Sequence, residues 1–210
     1  MAHKGFPGHA GTTLALPVLE DEVVRRAQRG DEAAFARIVG EYQVPVFNYV
    51  LRMVGDRELA EDLTQEVFLR IHQNLERFSF RAKFTTWLFQ VAKNRVLDEV
   101  RSRDRRPRAT AELEEDGLYV LDPPVERTAT IDAIWAAIEE LPVELRTALL
   151  LRDVSGFAYD EIAEIVDATL ATVKWRIFHA RERVARDVAA KGLIPERTGR
   201  GRLSGLAEAV

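Results

Sequence analysis

The chain has 210 residues, 47% of them hydrophobic and 30% charged, with a net charge of −4 and a pI of about 5.7. That length fits one or two domains, with apolar residues enough for cores and charge enough for solubility. It has no cysteine, which excludes disulfides, zinc fingers and thiol chemistry, and the mildly acidic total excludes a uniformly basic coat protein.

Residues 1–18 mix Gly, His, Pro and Thr without period and read as a flexible leader. The apolar run Leu14–Leu19 is short, broken by Pro17 and followed by Glu20, Asp21 and Glu22, so neither secretion nor membrane insertion is expected and the location predicted is cytoplasmic. Helical periodicity starts near Leu19, with Gly30-Asp31 and Gly55-Asp56 as junctions and Asp31 and Asp56 as N-caps. From Glu58 to Leu75, Leu59, Leu63, Val67, Ile71 and Leu75 recur every four residues, the apolar face of a helix. Phe80–Lys83 reads as a loop. Trp87, Leu88, Val91, Val96 and Val100 mark another amphipathic helix, running into arginines that Pro107 closes. Residues 108–129, with Gly117, Pro123, Pro124 and the carboxylates Glu112, Glu114, Glu115 and Asp116, lack a period and predict a flexible acidic linker. Ile131, Ile134, Trp135, Ile138 and Leu141 open a second block, Pro142 starts its next helix, and a helix-turn-helix pattern follows over Tyr159–Val188. From Gly192 the tail is Gly/Arg-rich and expected to be mobile. No strand pattern occurs. The prediction is an all-α chain of two helical domains, 19–107 and 130–191, joined by the linker, with a tail over 192–210.

Two segments suggest nucleic-acid chemistry. In FSFRAKFTTWLFQVAKNRVLDEVRSRDRR (Phe78–Arg106) aromatics alternate with cations, an arrangement that suits unstacked bases: rings stack on base faces while cations hold phosphates. Phe84 and Leu88 are expected in the core, and Phe78 and Phe80 are harder to bury. Asn94, one turn beyond Gln90, is either an amide edge for a base or an ordinary surface side chain. In the helix-turn-helix, Ile162, Ala163 and Val166 are expected to pack the scaffold helix, and Val173, Ile177, Ala180 and Val184 form the buried stripe of the next. Thr172, Lys174, Trp175, Arg176, Phe178 and His179 are left outward or sideways near its N-terminus, where recognition helices meet base edges. Lys174, Arg176, Arg181 and Arg183 suit phosphates. A helical hairpin with a solvated cationic face fits this pattern equally. Asp62, Gln65, Glu66, Leu69 and Gln73 form a patch opposite the apolar stripe, which is either a solvated face or a protein-docking surface. His3, His9, His72 and His179 are scattered, and no Gly-rich phosphate loop or nucleophile elbow occurs, so no metal, cofactor or catalytic residue is predicted.

The strings AEDLTQEVFLRIHQNLERF, FTTWLFQVAKNRVLDEVRSR and, after the acidic linker, ELPVELRTALLLRDVSGFAYDEIAEIVDATLATVKWRIFHARERV together resemble the extracytoplasmic-function (ECF) group of bacterial RNA polymerase sigma factors, over roughly residues 20–190. The resemblance implies that residues 19–107 are region 2 and residues 130–191 region 4. It implies that Asp62, Gln65, Glu66, Phe68 and Leu69 dock the clamp helices of the largest polymerase subunit, and that region 4 meets the flap of the second-largest. It assigns Phe78, Phe80, Arg81, Lys83, Trp87, Gln90 and Asn94 to flipped −10 bases of the non-template strand, with Arg95, Arg101 and Arg103 along the backbone. Thr172, Lys174, Trp175, Arg176, Phe178, His179 and Arg181 fall on the −35-reading helix. The linker matches a segment threaded near the RNA path. Core polymerase, promoter DNA and an anti-sigma factor are the implied partners, and promoter-directed initiation with DNA melting the implied function. Relatives commonly carry Ser at Ala158, Pro and Gly at Thr169 and Ala171, a small polar residue at Trp175, and a loop glycine at Phe80. The alternative is a stand-alone helix-turn-helix regulator that reads duplex DNA as a dimer; it has no use for the Asp62 patch or the loop aromatics.

Overall fold

The computed structural model describes residues 16, 17, 19–104 and 129–193. Nearly all of the expected leader, linker and tail lie outside them. Among the described residues there are eight α-helices and no strand, as the periodicity predicts. The first block holds α1 (Asp21–Gln28), α2 (Glu32–Val54), α3 (Arg57–Asn74) and α4 (Phe84–Asp104), with a 3₁₀ turn over Leu75–Arg77. The second holds α5 (Ala129–Glu139), α6 (Val143–Leu149), a π-helical turn (Leu150–Val154), α7 (Tyr159–Val166) and α8 (Leu170–Ala190).

Both Gly-Asp pairs act as stop and start. Gly55 ends α2 in the left-handed region at φ 71°, and its N–H donates to the Leu51 carbonyl at 2.8 Å, a conformation that costs glycine little. Asp31 and Asp56 then open α2 and α3, their carboxylates accepting from the N–H groups of Ala34 and Leu59, each at 3.0 Å. Those backbone donors, with Arg26 beside Asp31 and Arg103 beside Asp56, hold both carboxyls below the usual range. α2 runs on through Pro45, which removes one rung of its hydrogen-bond ladder.

The four-residue stripe of α3 is buried at Leu63, Val67 and Ile71, and Leu75 continues it into the 3₁₀ turn. It packs on α2 and α4, where Ile38, Val46, Tyr49, Leu88 and Phe89 complete the core. In the second block Val173, Ile177, Ala180 and Val184 of α8 are all buried, against α5, α6 and α7. On the scaffold helix Ile162 and Ile165 carry the burial, while Ala163 and Val166 are only half-buried.

The two blocks pack on each other and share one apolar core. The Phe89 and Phe157 rings meet edge to face at 4.8 Å. Arg146 donates to the Met53 carbonyl at 3.0 Å, and the Arg52 guanidinium lies 3.5 Å from the centre of the Trp135 ring. Burying a phenylalanine contributes about 1.5–3 kcal/mol and an edge-to-face pair about 0.5–1.5 kcal/mol more, so this seam is a stabilising interface.

Candidate nucleic-acid interfaces

The loop before α4 is built on a stack of rings. Phe78 contacts Phe80 at 4.7 Å, Trp87 at 5.3 Å and Phe84 at 5.5 Å between centroids. Helix α1 supports it: the Gln28 amide donates to the carbonyls of Leu75 (2.9 Å) and Phe78 (2.8 Å), and the Arg25 guanidinium lies 4.0 Å from the Phe80 ring centre. Phe78 and Phe84 form the buried floor; Phe80 and Trp87 are half-buried at the rim, beside exposed Arg81 and Lys83. A base sliding onto this rim would meet aromatic faces with cations at hand. Phe80 holds φ at 57°, the left-handed conformation that an L side chain enters at a cost of about 1–2 kcal/mol.

The cations of α4 are mostly engaged within the protein. Arg95 donates to Glu66 of α3 at 2.5 and 3.3 Å and to Glu99 one turn ahead at 3.1 Å. These bonds hold the Glu66 carboxyl low and raise Arg95 further. Arg103 reaches Asp56 at 3.3 Å and Glu99 at 3.8 Å. Arg101 and Asn94 are exposed.

On α8, Thr169 is the N-cap, its hydroxyl accepting from the Thr172 N–H at 3.1 Å; the two hydroxyls are 2.9 Å apart. Trp175 and Phe178 are 58% and 62% exposed. His179 lies beside both rings, at 4.4 Å and 5.3 Å, and 3.3 Å from Glu182. Lys174 is exposed and Arg176 half-exposed on the same surface. Such a stripe of cations and large apolar tips fits a major groove, with phosphates at the edges and thymine methyls in the middle. Ala158 supplies no side-chain acceptor for α7, but Glu161 accepts from its N–H at 2.8 Å, half of a capping box.

Comparison with known proteins decides between the readings. Residues 38–106 match the Sigma-70 region 2 family and residues 131–184 the Sigma-70, region 4 family. The RNA polymerase sigma-H factor of Pseudomonas aeruginosa is 34% identical over 189 residues, covering 84% of this chain and 96% of that protein. The ECF RNA polymerase sigma-E factor of Escherichia coli K12 is 35% identical over 178 residues (79% of this chain, 93% of that protein). The chain belongs to the ECF sigma factors. The ECF RNA polymerase sigma factor SigW of Bacillus subtilis is 31% identical over 170 residues, 76% of this sigma factor and 91% of the relative. Solved structures share the fold: CnrH in complex with the cytosolic domain of CnrY has a TM-score of 0.62 at 17% identity, covering 80% of this chain and 96% of that one. RpoE in complex with the anti-sigma factor NepR, from Bartonella quintana, also has a TM-score of 0.62, at 21% identity, covering 74% and 96%.

The sigma factor's sequence-derived residues divide into four groups. Phe80 and Trp87 both contact Phe78 at the rim, beside exposed Arg81, while Lys83 pairs with Glu161 at 2.7 Å and Gln90 donates to the Glu164 carbonyl at 3.3 Å. Asp62, Gln65, Glu66 and Leu69 share one exposed face of α3, with Leu69 58% exposed; Gln65 alone of the four also lines a groove with Phe47 and Arg57. Lys174, Trp175 and Phe178 on α8 and Asn94 and Arg101 on α4 are exposed, whereas Phe78, Phe68, Arg95, Arg103 and Arg181 differ from expectation. Phe78 is only 6% exposed and Phe68 8%: Gln28 draws the Phe78 backbone inward, and Phe68 follows Thr64 on the inner side of α3. Arg95 and Arg103 clasp carboxylates of α3, its N-cap and α4. Arg181 donates to Asp153 at 2.9 Å, which keeps it against the π-helical turn. Sequence reasoning missed Arg25 and Gln28, whose partners lie roughly fifty residues away, and it missed the contact of α7 with α4, where Glu161 meets Lys83. Among the described residues no cluster of His, Asp and Glu could hold a metal, and no helix is long and apolar enough to cross a membrane.

Proposed function

We propose that this sigma factor is a dissociable promoter-specificity subunit: it docks core RNA polymerase through α3, reads a −35 duplex with α8, and captures unstacked −10 bases at the Phe80–Trp87 rim. The reading places it in the cytoplasm with the polymerase and gives it no chemistry of its own. What carries it is the presence, in one chain of this family, of an exposed apolar-cationic recognition helix and a separate aromatic rim edged by cations. Duplex and opened strand need those two different surfaces. Flipping a base costs a few kcal/mol, which stacking on Trp87 and Phe80 and hydrogen bonds from Gln90 and Asn94 would offset. Residues 19–107 serve as region 2, residues 130–191 as region 4, and the acidic linker joins them. The solved complex of RpoE with the anti-sigma factor NepR supports an anti-sigma partner here too.

Run-off transcription on a promoter library with purified core polymerase, with and without the protein, tests this; no transcripts beyond those of core alone refutes it. Docking is tested best at Asp62→Lys and Leu69→Glu, because Glu66 also holds Arg95 and its reversal would loosen α3 from α4. A stand-alone regulator would keep duplex binding and be indifferent to both substitutions.

A further inference from the structure

Phosphates of an opened strand gain most from cations that hold no anion already, and two arginines of α4 do not meet that condition. Arg95 is held by Glu66 and Glu99, and Arg103 by Asp56 and Glu99. A phosphate there exchanges one charge-assisted bond for another, with little net gain. The α1 side of the rim is different. Arg26 pairs with Asp31 at 2.6 Å and Arg29 with Glu22 at 2.8 Å. Arg25 has no carboxylate partner among the described residues; its guanidinium lies over the Phe80 ring, 4.0 Å from the centre. Stacked there, it keeps its in-plane N–H donors for an anion and loses little side-chain freedom on binding one. Gln28, one turn further along α1, ties down the 3₁₀ turn through the Leu75 and Phe78 carbonyls. Arg77 sits between those two anchors, exposed and likewise unpaired, with Glu76 the carboxylate of the turn. Arg81, also exposed and unpaired, follows the left-handed bend at Phe80. Three uncompensated guanidiniums, against the single carboxylate of the turn, are thus gathered at one edge of the aromatic rim by the packing of α1 on that turn.

We propose that Arg25, Arg77 and Arg81 form a phosphate track along the α1 side of the rim, which holds the backbone of the opened strand while Phe80 and Trp87 take up its bases. The inference rests on the reading of that rim given under Proposed function. Cations beside stacking rings hold single strands without regard to sequence. Guanidiniums suit the task because their forked donors meet two phosphate oxygens at once. The track therefore supplies affinity and salt dependence, and base preference stays with the rim.

The test uses the full chain carrying Arg25→Gln and Arg77→Gln, with the anisotropy of a labelled oligothymidine of about 12 nucleotides followed against salt. Arg186→Gln with Lys191→Gln, both exposed toward the end of α8, removes the same charge as a control. Each single-strand phosphate neutralised adds about 0.7 to the slope of log affinity against log salt. The double variant should therefore lose about 1.4 of that slope, so that between about 50 and 200 mM salt its affinity falls about sevenfold less than the parent's. Arg25→Lys with Arg77→Lys keeps both charges and should restore the slope. The same loss is expected on a strand of abasic sugar-phosphates, because the track holds no base. A glutamine variant with the slope of the control overturns the track, as does a parent chain that leaves the oligothymidine unbound at the lower salt. A loss that disappears on the abasic strand also overturns it, making Arg25 and Arg77 base contacts. These failures are distinct from loss of run-off transcription, which would refute the reading on which the track rests.

Discussion

Phe80 offers a prediction in which backbone and side chain can be separated. Its ring is half-buried, 4.7 Å from Phe78 and 4.0 Å from the Arg25 guanidinium, while its φ of 57° lies where glycine is favoured. Removing the ring forfeits about 1 kcal/mol of apolar burial, about 0.5–1.5 kcal/mol of ring contact and about 0.5–1 kcal/mol of cation–π attraction. Phe80→Ala should thus destabilise by about 2–3.5 kcal/mol. Phe80→Gly loses the same contacts but releases the left-handed strain of about 1–2 kcal/mol, against about 0.5–1 kcal/mol of added chain entropy. The glycine variant should therefore be more stable than the alanine variant by roughly 1 kcal/mol, reversing the usual order of these residues. In urea, with a slope of about 2 kcal/mol per M, their midpoints should differ by about 0.5 M. Both should bind single-stranded DNA more weakly than the parent, and equally so. An alanine variant as stable as the glycine variant would refute the strain argument.

Three further outcomes are expected. Thr169→Ala removes the α8 N-cap and should cost about 1 kcal/mol in denaturant unfolding, with weaker −35 duplex binding in a shift assay. Trp175→Ala and Phe178→Ala, being largely exposed, should change stability by less than about 0.5 kcal/mol yet reduce duplex binding, seen by pairing thermal melts with anisotropy. Asp31, Asp56 and Glu66 have folded pKa values below their ordinary ones, so the stability they contribute is complete above the usual carboxylate range and is lost as pH falls through their depressed values. Acid unfolding followed by circular dichroism should therefore begin below about pH 4, and Asp56→Asn should flatten that loss.

Local signals explain what could be read from the sequence. The stripe of α3 and the buried face of α8 announce themselves by spacing, and Gly30-Asp31 and Gly55-Asp56 punctuate the chain because their chemistry acts within four residues. The paired state of Arg95 was half legible: Glu99 is one turn away, but Glu66 joins it only after α3 folds back on α4. Phe78 looked like a loop aromatic, and its burial depends on the Gln28 amide, which no periodicity reveals. The cover of α7 over α4 was wholly hidden, because Lys83 and Glu161 are brought together by an interface between blocks that sequence treats as separate.

The lodging of Phe157 against Phe89 also bears on how this protein diversifies. A larger or smaller side chain at position 157 alters how α4 is held, so drift in the second block is felt in the first. On the function proposed above, changes at this apolar joint would reach both promoter-reading surfaces while lying outside each of them.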